Sequence, residues 1–281
     1  MPAPAIDLEN GLELRSVPRG DGGARPASYW RPTAAPAAPS GRPPLLAIAG
    51  LGLDGRVFSR VADLGRDRDL VLVNLANESP SPRPSMADYG REAMAALDAA
   101  GHADRPAVIL GSSFGGMVAL AAALDHPERT AALVLLGTGA AWHRVPGRLR
   151  LAARFHRFLP RRSYARLFAA FMLPPFRYPD AEVRLDLRRQ MLHRTKNHIG
   201  DVLGAMRTFD EEARVGSVAA PTLVLHGAGD GVIPPPAGRF LAEHIPGAVL
   251  RILPDCGHLP QVARPAETVE AVRAFLGERG L

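Results

Sequence analysis

Gly111-Ser112-Ser113-Phe114-Gly115 sets a hydroxyl between two glycines in the pattern Gly-x-Ser-x-Gly. The apolar, β-branched run Val108-Ile109-Leu110 enters it directly, and the Ala-rich stretch from Met117 to Leu124 leaves it. Strand, sharp turn and helix in that order are what a nucleophile elbow requires. A serine at the tip of such a turn holds a strained backbone, and Gly111 and Gly115 leave room where side chains would strike the neighbouring strand or helix. The same placement puts Ser113 at a helix N-terminus, where free N–H groups and the helix dipole favour developing negative charge. Ser113 is therefore the candidate nucleophile. Ser112 has Leu110 two residues before it and lacks the glycine frame.

A hydroxyl attacks poorly until a base takes its proton, and that base needs an acid to orient it. In sheets built this way the acid follows a late strand and the histidine comes last. Asp230 follows the apolar run 222–226 through Gly227-Ala228-Gly229, and His258 follows the last strand in Leu253-Pro254-Asp255-Cys256-Gly257-His258. Of the nine histidines, His102, His126 and His244 fall near helix ends, and His156, His193 and His198 lie in a basic segment. His226 stands inside a strand and reads as a packed, structural histidine. Asp255, three residues from His258, would have difficulty reaching the far side of the imidazole. His258 is thus the expected base and Asp230 its orienting acid. A second glycine-rich segment, Gly50-Leu51-Gly52-Leu53-Asp54, follows the apolar run 45–49. A loop after an early central strand can supply one donor of an oxyanion hole, the other coming from the residue after the nucleophile. The two backbone N–H groups are assigned to Leu51 and Phe114.

The elements that must hold these residues alternate along the chain. Strands are expected at 45–49, 70–74, 108–110, 132–137, 222–226 and 248–253, and helices around 57–64, from a Ser85 cap through Leu97, after the elbow, near 238–243 and over 265–276. Uninterrupted apolar strands alternating with helices predict a mostly parallel central sheet covered on both faces. Residues 1–44 read as an edge hairpin, from the alternating stretches 12–17 and 27–31, followed by a Pro/Ala-rich connection. Over 142–208 the alternation stops. Leu151, Phe155 and Phe158, then Leu167, Phe168 and Phe171, recur at helical spacing, broken at Pro160 and Pro174-Pro175. This segment is expected to be a helical cap inserted between core segments 45–141 and 209–281, with Phe168, Phe171 and Met172 lining an acyl pocket.

The 281 residues suffice for a sizeable core, with 47% hydrophobic and 22% charged residues. No apolar run approaches the roughly 18 to 20 residues needed to span a bilayer, and the N-terminal residues lack the pattern of a secretory signal. The single cysteine, Cys256, excludes an internal disulfide and fits a reducing cytoplasm, which is the expected location. The net charge of +6 is uneven: residues 143–207 carry fifteen Lys/Arg against four Asp/Glu, leaving about minus five elsewhere. That distribution argues against nucleic acid and assigns the basic charge to the cap. No metal is expected, because the histidines and carboxylates lack paired ligand spacing. Gly50, Gly52 and Gly55 form Gly-x-Gly-x-x-Gly, yet Gly55 would have to open a helix, and Asn74 ends the second strand where a dinucleotide site wants an acid. No cofactor is expected.

Gly-Ser-Ser-Phe-Gly-Gly, Gly-Ala-Gly-Asp and Cys-Gly-His, in that order, resemble the α/β-hydrolase superfamily from Leu45 to Leu276. The segment Gly50-Leu51-Gly52-Leu53-Asp54-Gly55-Arg56-Val57-Phe58 looks like the corresponding loop of pimeloyl-acyl-carrier-protein methyl ester esterases and related small carboxylesterases. The chain departs from that pattern with Ala49-Gly50 in place of His-Gly, and with Asn74-Leu75-Ala76-Asn77 in place of an Asp and a Gly-rich loop. The resemblance implies hydrolysis of a small-molecule carboxylic ester or thioester. Carbon–carbon bond hydrolysis, acyl transfer and ligand binding without turnover are its alternatives. A serine at the elbow disfavours the carboxylate-dependent epoxide hydrolases and dehalogenases. The basic cap reads either as a solvated face over the acyl pocket or as a surface for an anionic substrate or acidic carrier protein.

Overall fold

Runs of apolar residues with no polar interruption form the middle of the sheet. The computed structural model describes residues 6–7, 12–16, 28–32, 41–75, 83–155, 158, 160, 163 and 180–281. Its strands are β1 (Ile6–Asp7), β2 (Leu12–Ser16), β3 (Ser28–Pro32), β4 (Leu45–Ile48), β5 (Leu70–Asn74), β6 (Ala107–Ser112), β7 (Thr130–Leu136), β8 (Thr222–Gly227) and β9 (Val249–Leu253). They lie in the order β1-β2-β3-β5-β4-β6-β7-β8-β9. From β5 to β9 every pair is parallel, while β1, β2 and β3 add an antiparallel edge against β5. Over the alternating stretches expected to form an edge hairpin, β2 and β3 pair antiparallel, with β1 outside them at the sheet edge.

Side chains alternate across the pleat, so each central strand feeds both faces. Leu46, Ile48, Val71, Val73 and Ile109 enter one core, and Leu45, Ala47, Leu70, Leu72, Val108 and Leu110 enter the other. Burying each of the Val, Leu and Ile side chains among them contributes about 1.5–3 kcal/mol. Helices α1 (Met86–Leu97) and α2 (Phe114–Asp125) cover the first face. Ser85 opens α1 with a capping box, its hydroxyl accepting from Asp88 N–H and the Asp88 carboxylate accepting from Ser85 N–H. The run Gly55–Gly65 and the later helix Pro265–Gly277 cover the second face.

The helix expected around 57–64 is the run Gly55–Gly65, of 3-10 type with a break at Val61. Phe58, Val61 and Leu64 are buried at three-residue intervals, which matches three residues per turn. Those positions satisfy a 3.6-residue period almost as well, so spacing alone does not separate the two helix types.

Between β7 and β8 the described residues include α3 (Gly147–Phe155), α4 (Ala181–His193) and α5 (Lys196–Thr208). Asp180 caps α4 and Thr195 caps α5 through their side-chain oxygens. Ile199, Val202, Leu203 and Met206 of α5 join the core on the α1–α2 side. On α3 it is Ala153 that is buried, whereas Leu151 and Phe155 are 58% and 50% exposed.

Candidate active site

Ser113 stands between the end of β6 and the start of α2 with φ 57 and ψ −119, a conformation costly for any side-chain-bearing residue. Its surroundings hold it there. Ser113 N–H donates to Leu136 O at 2.9 Å, and Ser113 O accepts from Gly116 N–H at 2.9 Å and from the Thr138 hydroxyl at 2.7 Å. A Cβ at Gly111 would lie 2.2 Å from Gly115 O, and one at Gly115 would lie 2.0 Å from Ile48 O. Both obstacles are backbone, so neither can rotate away. Gly115→Ala should therefore destabilise the protein by about 3 kcal/mol or more, measured by chemical denaturation. An unchanged midpoint would contradict the tight approach of α2 to β4.

The loop after β8 and the loop after β9 bring two side chains to the serine. His258 Nε2 lies 2.8 Å from Ser113 Oγ, and His258 Nδ1 lies 2.8 Å from Asp230 Oδ2. The three residues expected to act together thus form one hydrogen-bonded line, and all are buried. With the Nδ1 proton donated to Asp230, Nε2 is free to accept the Ser113 hydroxyl proton. Asp230 Oδ1 accepts from Val232 N–H at 2.8 Å and Ile233 N–H at 3.0 Å. Burial by itself would raise the Asp230 carboxyl, but the His258 charge and the hydrogen bonds from His226 and His258 outweigh it and hold the group below the usual carboxylate range.

His226 is fully buried in β8, as expected of a packed histidine. Its Nε2 lies 2.7 Å from Ile233 O and 3.3 Å from Asp230 Oδ2, so Asp230 is flanked by two imidazoles. A proton on His226 Nε2 satisfies both contacts. Asp255 stands apart with φ 49, exposed, its carbonyl accepting from Arg264.

The β4 loop closes over the serine. A Cβ at Gly50 would lie 3.2 Å from Ser113 Cβ and 3.8 Å from Ser113 Oγ. Leu51 occupies the next position, in a turn closed by Leu53 N–H donating to Gly50 O at 3.1 Å. Phe114 is the first residue of α2, where backbone N–H groups have no intrahelical acceptor; its ring packs edge-on against Tyr89 at 5.1 Å. Gly50, which precedes Leu51, therefore approaches the serine, and Phe114 follows the serine directly in the chain. Ser112 faces elsewhere, its hydroxyl accepting from Gln261 Nε2 at 2.9 Å. Phe168, Phe171 and Met172 lie outside the described residues. Among the described residues no group of three His, Cys, Asp or Glu side chains could hold a metal ion, and no helix is long and apolar enough to cross a membrane.

The model of the alpha/beta hydrolase fold family matches residues 43–265. The chain belongs to that family. A pimeloyl-[acyl-carrier protein] methyl ester esterase of Chromobacterium violaceum is 30% identical over 250 residues, 83% of this α/β hydrolase and 94% of that protein. A 2-hydroxymuconate semialdehyde hydrolase of Pseudomonas sp. strain CF600 is 29% identical, covering 84% and 87% of the two chains. Among solved structures, a hydrolase from Pseudomonas aeruginosa PA01 superposes with a TM-score of 0.78 at 26% identity, over 94% of this chain and 98% of that one. An esterase, a lipase and a semialdehyde hydrolase thus stand among the relatives of this α/β hydrolase. Three contributors at the site were not foreseen from sequence: Thr138, the edge of His226 turned to Asp230, and Gln261. A single hydroxyl, imidazole or amide inside an apolar stretch was the only signal any of them gave.

Proposed function

We propose that the protein is a serine hydrolase that cleaves a carboxylic ester or thioester of a small to medium acyl group through an acyl-enzyme. The hydrogen-bonded line from Ser113 through His258 to Asp230 carries this reading. His258 Nε2 takes the hydroxyl proton as Ser113 Oγ attacks the carbonyl carbon, and ionised Asp230 stabilises the imidazolium. The Leu51 and Phe114 N–H groups donate to the oxyanion. Collapse of the tetrahedral adduct expels the alcohol or thiol, which receives the proton from His258. Water then enters, gives its proton to His258 and attacks the acyl carbon, releasing the acid and restoring Ser113. This machinery needs no cofactor.

One relative named as a methyl ester esterase and another named as a semialdehyde hydrolase make the bond type the first thing to test. Initial rates should be measured on p-nitrophenyl acetate and butyrate beside a vinylogous 1,5-diketone. The reading predicts ester turnover. Turnover of the diketone alone would replace it with carbon–carbon hydrolysis, and turnover of neither by the folded protein would favour a ligand-binding role.

The basic segment 143–207 supports a further part of the proposal: an anionic substrate or an acidic carrier protein approaches over the cap. One relative's name specifies an acyl group on such a carrier. Added salt should then lower kcat/KM steeply for a carrier-bound ester and little for a neutral p-nitrophenyl ester. Equal salt effects on both would sink the carrier reading and leave the esterase reading standing.

A further inference from the structure

Arg194, at the C-terminal cap of α4, is an arginine only 5% exposed in the interior of the protein. Burial pushes its guanidinium pKa down. Its Nη2 donates to Leu53 O at 2.6 Å and to Asn74 Oδ1 at 2.8 Å, and its Nη1 donates to Leu75 O at 2.8 Å. One turn earlier on the same helix, Gln190 is buried as well, and its Oε1 accepts from Asp54 N–H at 3.3 Å. Leu53 C=O and Asp54 N–H are the two polar groups of a single peptide unit. That unit is gripped at both ends by side chains from the segment between β7 and β8. Gln190 is fixed in turn, its Nε2 donating to Asp186 Oδ2 at 2.9 Å, and Asn74 Nδ2 donates to Ser28 Oγ at 2.9 Å.

The gripped peptide lies two residues beyond Leu51. Between them, Gly52 has φ +78, which the turn from Gly50 to Leu53 requires. A Cβ there would meet Met191 Cγ at 3.5 Å and Ile199 Cδ1 at 3.6 Å, so α4 and α5 also pack on the turn. The Leu51 N–H belongs to the Gly50–Leu51 peptide, whose carbonyl accepts from Leu53 N–H at 3.1 Å, so the grip on Leu53 restrains that peptide across a glycine that itself gives little restraint.

We infer that Gln190 and Arg194 are positioning residues that lock the Leu53–Asp54 peptide and thereby aim the Leu51 N–H at the oxyanion. Its consequence for catalysis rests on the serine-hydrolase reading; the clamp itself rests on the hydrogen bonds of Gln190 and Arg194. Asn74, which departs from the pattern of the resembling family, has a role in it: a neutral amide there accepts from Arg194 at the end of β5. Lysine at 194 would keep a charge but lose the planar fork that serves Leu53 O and Leu75 O together.

Gln190→Met and Arg194→Lys test this, since both keep side-chain bulk. Three quantities should be read: hydrogen exchange of the peptide spanning 50–54, kcat and KM for p-nitrophenyl butyrate, and the Ki of a trifluoromethyl ketone whose Ser113 adduct carries the oxyanion. Exchange should accelerate about 10-fold or more, kcat should fall about 10-fold with KM little changed, and the ketone Ki should rise by the same factor, less than the roughly 100-fold or greater loss of a donor removed outright. Unchanged exchange in both variants overturns the inference whatever the activity. Faster exchange with unchanged kcat and ketone affinity overturns it too, because the clamp would then be only structural. Faster exchange in a protein whose wild type shows no Ser113-dependent turnover sinks the hydrolase reading and keeps the clamp.

Discussion

Ser113→Ala should abolish ester hydrolysis, lowering kcat for p-nitrophenyl butyrate by on the order of 10⁴- to 10⁶-fold. The reason is local. The Ser113 hydroxyl lies 2.8 Å from His258 Nε2, and the neighbouring Ser112 hydroxyl is turned to Gln261. The chain should still fold, because Ser113 is held by its backbone through Leu136, Gly116 and Thr138, and alanine keeps all three bonds. Retained circular dichroism and a melting temperature within a few degrees would confirm that the loss is chemical. Residual turnover within about 10-fold of wild type would mean that another group attacks the ester.

Asp230→Asn should cost about 10⁴-fold in kcat, and the argument is one of tautomers. Asp230 accepts four contacts: Oδ1 takes the Val232 and Ile233 N–H groups, and Oδ2 faces His258 Nδ1 and His226 Nε2. An asparagine that keeps its oxygen on the backbone amides must turn its NH₂ toward His258. The imidazole then accepts at Nδ1, carries its proton on Nε2 and cannot take one from Ser113. Stability carries the same signature. The folded-state pKa of Asp230 lies below its unfolded value, so the stabilisation its ionised form provides is complete above the ordinary carboxylate range and fades as pH falls from about 4. The stability deficit of Asp230→Asn, measured by urea denaturation, should therefore be largest near neutral pH and shrink in acid. A deficit that grew in acid would contradict an ionised, hydrogen-bonded Asp230.

The elbow was legible because its whole mechanism lies in five consecutive residues, and the parallel sheet because its buried strands are unbroken apolar runs. Asp230 and His258 were legible by their position after late strands, a relation that does not depend on side-chain packing. What escaped was set by contacts across the chain. Gln261 meets Ser112 across 149 residues, and Arg194 meets Leu53 across 141; nothing in either neighbourhood names the partner. His226 was correctly read as packed, but the orientation of its ring toward Asp230 depends on how the loop after β8 turns back. The spacing of Leu151 and Phe155 reads as helical and the helix is present, but such spacing reveals a face without saying whether that face meets core or solvent, and here it is exposed.

The central claim is that Ser113 forms a covalent acyl intermediate, and the most direct measurement is the mass of the protein after reaction with a fluorophosphonate, followed by peptide mapping. The account predicts one adduct per chain, on the peptide containing Ser113, absent in Ser113→Ala and strongly slowed in His258→Ala. No adduct on the folded wild type, or an adduct mapped to Cys256 or any residue other than Ser113, would contradict it.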